Sequence, residues 1–106
     1  MTDMPLTPDA LTDDTVVHAC ENHVSSDLAG EEVILNLSNG VYYGLNPVGS
    51  QIWTLIQAPH AVADVCAALQ DTYPDVAPEV LNRDVRALLV DLHKAELLTV
   101  GADIAS

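Results

Sequence analysis

The chain has no phenylalanine, and its 106 residues hold three lysines and arginines in all against sixteen aspartates and glutamates. The first scarcity leaves one Trp and three Tyr as the whole aromatic complement, so aliphatic side chains must fill any core. The second sets a formal net charge of −13, which repels a phosphate backbone and argues against nucleic acid as a partner. Two cysteines, Cys20 and Cys66, are too few for the disulfide framework of a small secreted domain and are expected as free thiols. No apolar run approaches the roughly 20 residues of a membrane helix. The start, Met1-Thr2-Asp3-Met4-Pro5, carries acid where a secretory signal carries positive charge. A cytoplasmic protein that touches no membrane is the expectation. The templates G-x-S-x-G, H-E-x-x-H, G-x-G-x-x-G and Walker-type G-K-[ST] are missing as well, so no enzyme is expected and no cofactor is implied.

What is present fits one small domain. Residues 1–14 combine Pro5, Pro8 and four Asp without periodicity and are expected to form a flexible tail, with a domain over 15–98 and a short C-terminal tail over 99–106. Thr15, Val16, Val17 and Val24 suggest irregular extended structure. Val33, Leu35 and Leu37 then alternate on one face, and Val41, Tyr43 and Leu45 alternate in the next segment. Between them Asn39-Gly40 suits a two-residue type I′ turn, so a hairpin is expected. Asn46-Pro47 pairs a side-chain acceptor with a preset φ and predicts the start of a helix that ends by Pro59. Val62, Val65, Cys66 and Leu69 mark a second helix, reaching Tyr73. A third is expected from Pro78 to about Leu98, with Leu81, Val85, Leu88, Leu92 and Ala95 as its core stripe. Strands first and three helices after them read as an α+β fold with helices on one face of a three-stranded antiparallel sheet.

Chemistry-bearing residues are sparse. His18, Cys20 and His23, with Cys66 elsewhere, have the atom types for zinc, but in a strand His23 points away from the other two. Ordinary strand residues are the simpler reading. The three cations, Arg83, Arg86 and Lys94, all lie on the third helix within a sector of about 80°, turned from its apolar stripe. A solvated face is one reading; an attractive patch is the other, flanked by Val85, Leu89 and His93. The strand Val41-Tyr42-Tyr43-Gly44-Leu45, if it forms an edge, offers unpaired N–H and C=O groups to an extended peptide or to a second copy of the chain.

Glu31 through Trp53, with its acidic lead-in, V-I-L-N-L strand, Gly-ended turn, Y-Y-G-L-N and closing I-W, resembles the PqqD family of peptide-binding proteins. The similarity extends through Asp84-Val85-Arg86-Ala87-Leu88-Leu89 to Leu98 and departs at Glu96, where many relatives carry Gly. The resemblance implies a winged helix-turn-helix-like RiPP recognition element that binds the leader of a ribosomally made precursor peptide and delivers it to a separate maturation enzyme. That enzyme would be a cysteine leader peptidase with its cyclase, as in lasso-peptide pathways, or else a radical S-adenosylmethionine enzyme. A winged-helix nucleic-acid binder is the remaining alternative. The implied peptide site comprises Val41, Tyr42, Tyr43, Gly44 and Leu45 on the strand, and Arg83, Arg86, Leu89 and His93 on the third helix.

Overall fold

A computed structural model describes residues 11–29 and 31–100. Its elements run β1 (Val16–Ala19), β2 (His23–Leu28), β3 (Glu31–Asn36), β4 (Tyr42–Leu45), α1 (Pro47–Leu55), β5 (His60–Ala61), α2 (Val62–Thr72), α3 (Pro78–Lys94) and β6 (Leu98–Val100). The expected α+β order is present, with one addition. β2, β3 and β4 form an antiparallel sheet in that spatial order, while β1 leaves it to pair with β5 on one side and β6 on the other. β1 pairs Val17 with His60 and His18 with Thr99, partners too distant in the chain for any local pattern to reveal.

Packed and paired residues are found on both sides of 15–98. Leu11 lies in the core, the backbone N–H of Ala63 donates to the carbonyl of Asp13, and that of Val62 donates to Thr15. The segment from Leu11 is therefore packed rather than loose, and the remainder of the expected tail falls outside the described residues. At the other end α3 stops at Lys94 instead of Leu98, because Glu96 takes φ +62°. The N–H of Leu97 bonds the carbonyl of Leu92 and that of Glu96 bonds His93, the paired closure of a Schellman motif in which Glu holds the place that glycine prefers. The chain then leaves as β6, which pairs residues expected in the C-terminal tail, Thr99 and Val100, with β1.

The hairpin also differs from its expectation in its turn. Asn36 N–H donates to the carbonyl of Val41, Gly40 N–H to that of Asn36, and Gly40 has φ +72°, so the loop spans Leu37 to Gly40. Asn39 keeps a negative φ and uses its side chain to accept from the Val41 N–H at 3.0 Å, which removes the type I′ geometry. Ile34 and Asn36, not Val33 and Leu35, face inward. A buried Asn is tolerable only if its groups are bonded. Asn36 Nδ2 donates to the carbonyls of Ala95 at 2.9 Å and Glu96 at 3.1 Å, and its Oδ1 accepts from Ser38 N–H at 2.8 Å. Since the strand period is two, that inward Asn sends Val33 and Leu35 to the opposite face.

The core gathers Ile34 and Leu45 from the hairpin sheet, Ile52, Trp53 and Ile56 around α1, Val65 and Leu69 from α2, and Leu81, Val85, Leu89 and Leu92 from α3. Asn46 caps α1, its Oδ1 accepting from Gly49 N–H at 2.8 Å, with Pro47 at the first helical position as the sequence predicts. A Cβ on Gly49 would lie 3.1 Å from Leu45 Cδ2, so glycine there lets the first turn of α1 close down on the end of β4.

Candidate functional site

β4 is an edge strand. Its partner β3 pairs Ile34 with Tyr43 and Leu35 with Tyr42, and the bond from Asn36 N–H to Val41 fixes which pairs are hydrogen-bonded. Bonded and non-bonded pairs alternate along an antiparallel ladder. Tyr43 and Leu45 therefore point their backbone groups at β3, whereas Tyr42 and Gly44 point theirs outward. Side chains alternate in the other plane: Leu45 is buried, Tyr43 half-buried on the helix side, and Tyr42 exposed on the far face. Val41 lies in the turn just before the strand and is half exposed.

Beside this edge, past the end of β4, a cavity of about 420 Å³ opens between the first turns of α1 and the flank of α3. Its apolar lining includes Val48, Ile52, Tyr73, Val76 and Leu88, and its charged lining is Asp84 and Asp91. This size lies within the usual range for ligand pockets. Burial first, and the negative charge of Asp91 second, hold the Tyr43 phenol above the ordinary tyrosine value. Asp91 thus links the cavity to the β4 edge.

α3 is turned differently from its sequence-based reading. Leu89, expected on the recognition flank, is fully buried and is core. Leu88, expected in the core stripe, is half-buried and lines the cavity. Arg86 is not free to meet a partner either. It donates to the carbonyl of Leu11 and to Asn82 Oδ1, and its Nη2 lies 2.6 Å from Asp13 Oδ1, with only 16% of the side chain exposed. The segment at Leu11 occupies the flank that the cation pattern suggested for a peptide. Arg83 is exposed, 4.0 Å from Asp84, and His93 is exposed near the end of the helix, neither of them lining the cavity. The cavity therefore brings Asp84, Leu88 and Asp91 together, with Asn46 just past the end of β4, and leaves Arg86 and Leu89 outside its lining. On a helical wheel Asp84, Leu88 and Asp91 share one side, four and then three residues apart, a pattern visible in the sequence but overshadowed by the three cations.

The remaining candidates lie apart. His18 Nε2 is 3.2 Å from the carbonyl of Gln57, and His23 stacks at 4.8 Å on Trp53, tilted 55°. No three His, Cys, Asp or Glu come together as metal ligands among the described residues. Burial pushes the Cys66 thiol up, Arg86 draws it partly back, and Asp13 adds a smaller rise; Cys66 is half-buried against the core. No helix among the described residues is long and apolar enough to cross a membrane.

Comparison with solved structures finds the same fold. TbiB1 in complex with the TbiA(beta) leader peptide is 33% identical over 76% of this chain and 93% of that one, with a TM-score of 0.70. The solution structure of the PqqD truncation of Methylobacterium extorquens PqqCD, described as a functional and stand-alone RiPP recognition element, has the same fold. It is 18% identical, with a TM-score of 0.69 over 87% of this chain and 97% of that one. No curated protein matches the chain. The family described as coenzyme PQQ synthesis protein D (PqqD) matches residues 31–98, which covers both walls of the cavity and most of the core, and the chain belongs to that family.

Proposed function

We propose that this protein binds the leader segment of a ribosomally synthesised precursor peptide as an added strand on β4 and presents it to a separate maturation enzyme. The observation that carries the reading is the open edge of β4, where Tyr42 and Gly44 turn their backbone groups outward, with a mostly apolar cavity starting at Asn46 just past its end. An extended peptide satisfies those groups with its own backbone and places alternate side chains toward α3. Burying about 100 Å² of one apolar leader side chain over Leu88 contributes roughly 2.5 kcal/mol. Several backbone bonds add to this, and ordering the leader subtracts. Micromolar affinity, about 8 kcal/mol, is the expected scale.

The likeness to a leader-bound TbiB1 supports this role. For the receiving enzyme, the Y-Y-G-L-N strand favours a cysteine leader peptidase with its cyclase, as in lasso-peptide pathways, over a radical S-adenosylmethionine enzyme. Intracellular action follows from that assignment.

The test is calorimetric titration with the synthetic leader encoded by the short precursor gene beside this protein's own, the core segment of the same precursor serving as control. Saturable binding of the leader alone is expected. N-methylation of the leader at alternate residues, in the register that removes its donors to β4, should abolish binding, and methylation in the other register should not. Failure of the unmodified leader to bind folded protein would overturn the reading.

A further inference from the structure

The sign of the charge around the cavity carries an inference that rests on the strand-addition reading and specifies its ligand. We propose that the groove selects a leader segment in which an apolar anchor residue is accompanied by lysine or arginine within about two residues, the cations meeting Asp84 and Asp91. The two carboxylates lie seven residues apart on α3, roughly 10 Å along the helix axis, about three residues of an extended strand. Leu88 lies between them at the cavity wall, so an apolar side chain settling on Leu88 has a carboxylate on each side.

No lysine, arginine or histidine lines this cavity. All three of the protein's cations are elsewhere or already engaged: Arg86 holds Leu11 and Asp13, while Arg83 and Lys94 are exposed outside the lining. Arg83 reaches only the rim, 4.0 Å from Asp84, with both side chains mostly in solvent. Among the described residues Asp91 has no ion-pair partner, and its effect on Tyr43 shows that its field reaches the β4 edge. The net charge of −13 adds a long-range attraction of the same sign for a basic segment. An acidic leader would meet repulsion from Asp84 and Asp91.

The experiment titrates the labelled leader into the wild type, the Asp84→Asn/Asp91→Asn double variant and a Glu21→Gln control in the β1–β2 connection, at low and high salt. Circular dichroism confirms that each is folded. The double variant should bind about three- to ten-fold more weakly at low salt and show a shallower salt dependence, with the control unchanged. A leader with every Lys and Arg replaced by Gln should lose a similar factor against the wild type and almost nothing further against the double variant. Asp91→Lys should prefer a leader with those cations changed to Glu. Undiminished binding by a leader that has no Lys or Arg, or undiminished binding by the double variant, would overturn this inference while leaving strand addition intact. Absence of any binding by the natural leader would overturn the underlying reading and this inference with it.

Discussion

The two flanks of α3 put the same kind of material to opposite uses. On one, Arg86 and the buried side of Leu89 are consumed by the protein's own chain, with Leu11 and Asp13 laid against the helix. On the other, Leu88, Asp84 and Asp91 border a cavity next to an edge strand, and no segment among the described residues fills it. A cation on a helix suggests a partner only if the chain itself has not already supplied one. Here the conspicuous charges stabilise the fold, and the inconspicuous ones face the vacant side.

Substitutions that separate the flanks test this contrast. Leu89→Ala removes a fully buried side chain and should cost about 2–5 kcal/mol in urea unfolding, with leader affinity falling only through lost folded protein. Leu88→Ala should cost less than half as much stability yet weaken leader binding directly. Equal destabilisation by the two would erase the distinction. Arg86→Met releases a charged donor from Leu11, Asn82 and Asp13 and should cost about 1.5–3 kcal/mol while leaving the leader affinity of the folded fraction unchanged, readable from unfolding curves and titration together.

Two smaller effects sharpen the comparison. Glu96→Gly relieves a left-handed residue at the end of α3 and should stabilise the fold by about 1 kcal/mol, seen as a higher denaturation midpoint. Asp91→Asn should bring the absorbance titration of Tyr43 part of the way back toward the ordinary value, the portion due to burial remaining. For Tyr43 the folded value lies above the unfolded one. Its contribution to stability is therefore complete below the unfolded tyrosine value, near 10, and is lost as pH rises through the folded value. Asp91→Asn should diminish that alkaline loss.

Much of this was legible in the sequence where signals are local. Asn46-Pro47 marks the start of α1, the heptad-like spacing marks α2 and α3, and Gly40 marks the hairpin, because caps, helical periodicity and positive φ are decided within a few residues. The edge position of β4 was legible for a similar reason, since the chain passes from it directly into a helix. What was hidden depends on distant partners. The inward face of β3 is chosen by Asn36 reaching carbonyls 59 and 60 residues away, against the aliphatic alternation of Val33, Leu35 and Leu37. The two-residue β5 and three-residue β6 exist only because β1 lies between them. The side of α3 facing the cavity was misread because Arg86 is claimed by a segment whose low periodicity concealed one core residue, Leu11.

The buried Asn36 has a consequence for how the protein binds. It ties the turn end of the hairpin to the carbonyls of Ala95 and Glu96 just past α3, while Gly49 lets α1 close on the far end of β4, so the two walls are fastened at separated points. A gap fixed at both ends has little width left to adjust when a peptide enters. The loss of freedom on association then falls almost wholly on the incoming chain, and a leader constrained in advance to an extended shape should gain affinity chiefly through a smaller entropic penalty, with its binding enthalpy little altered.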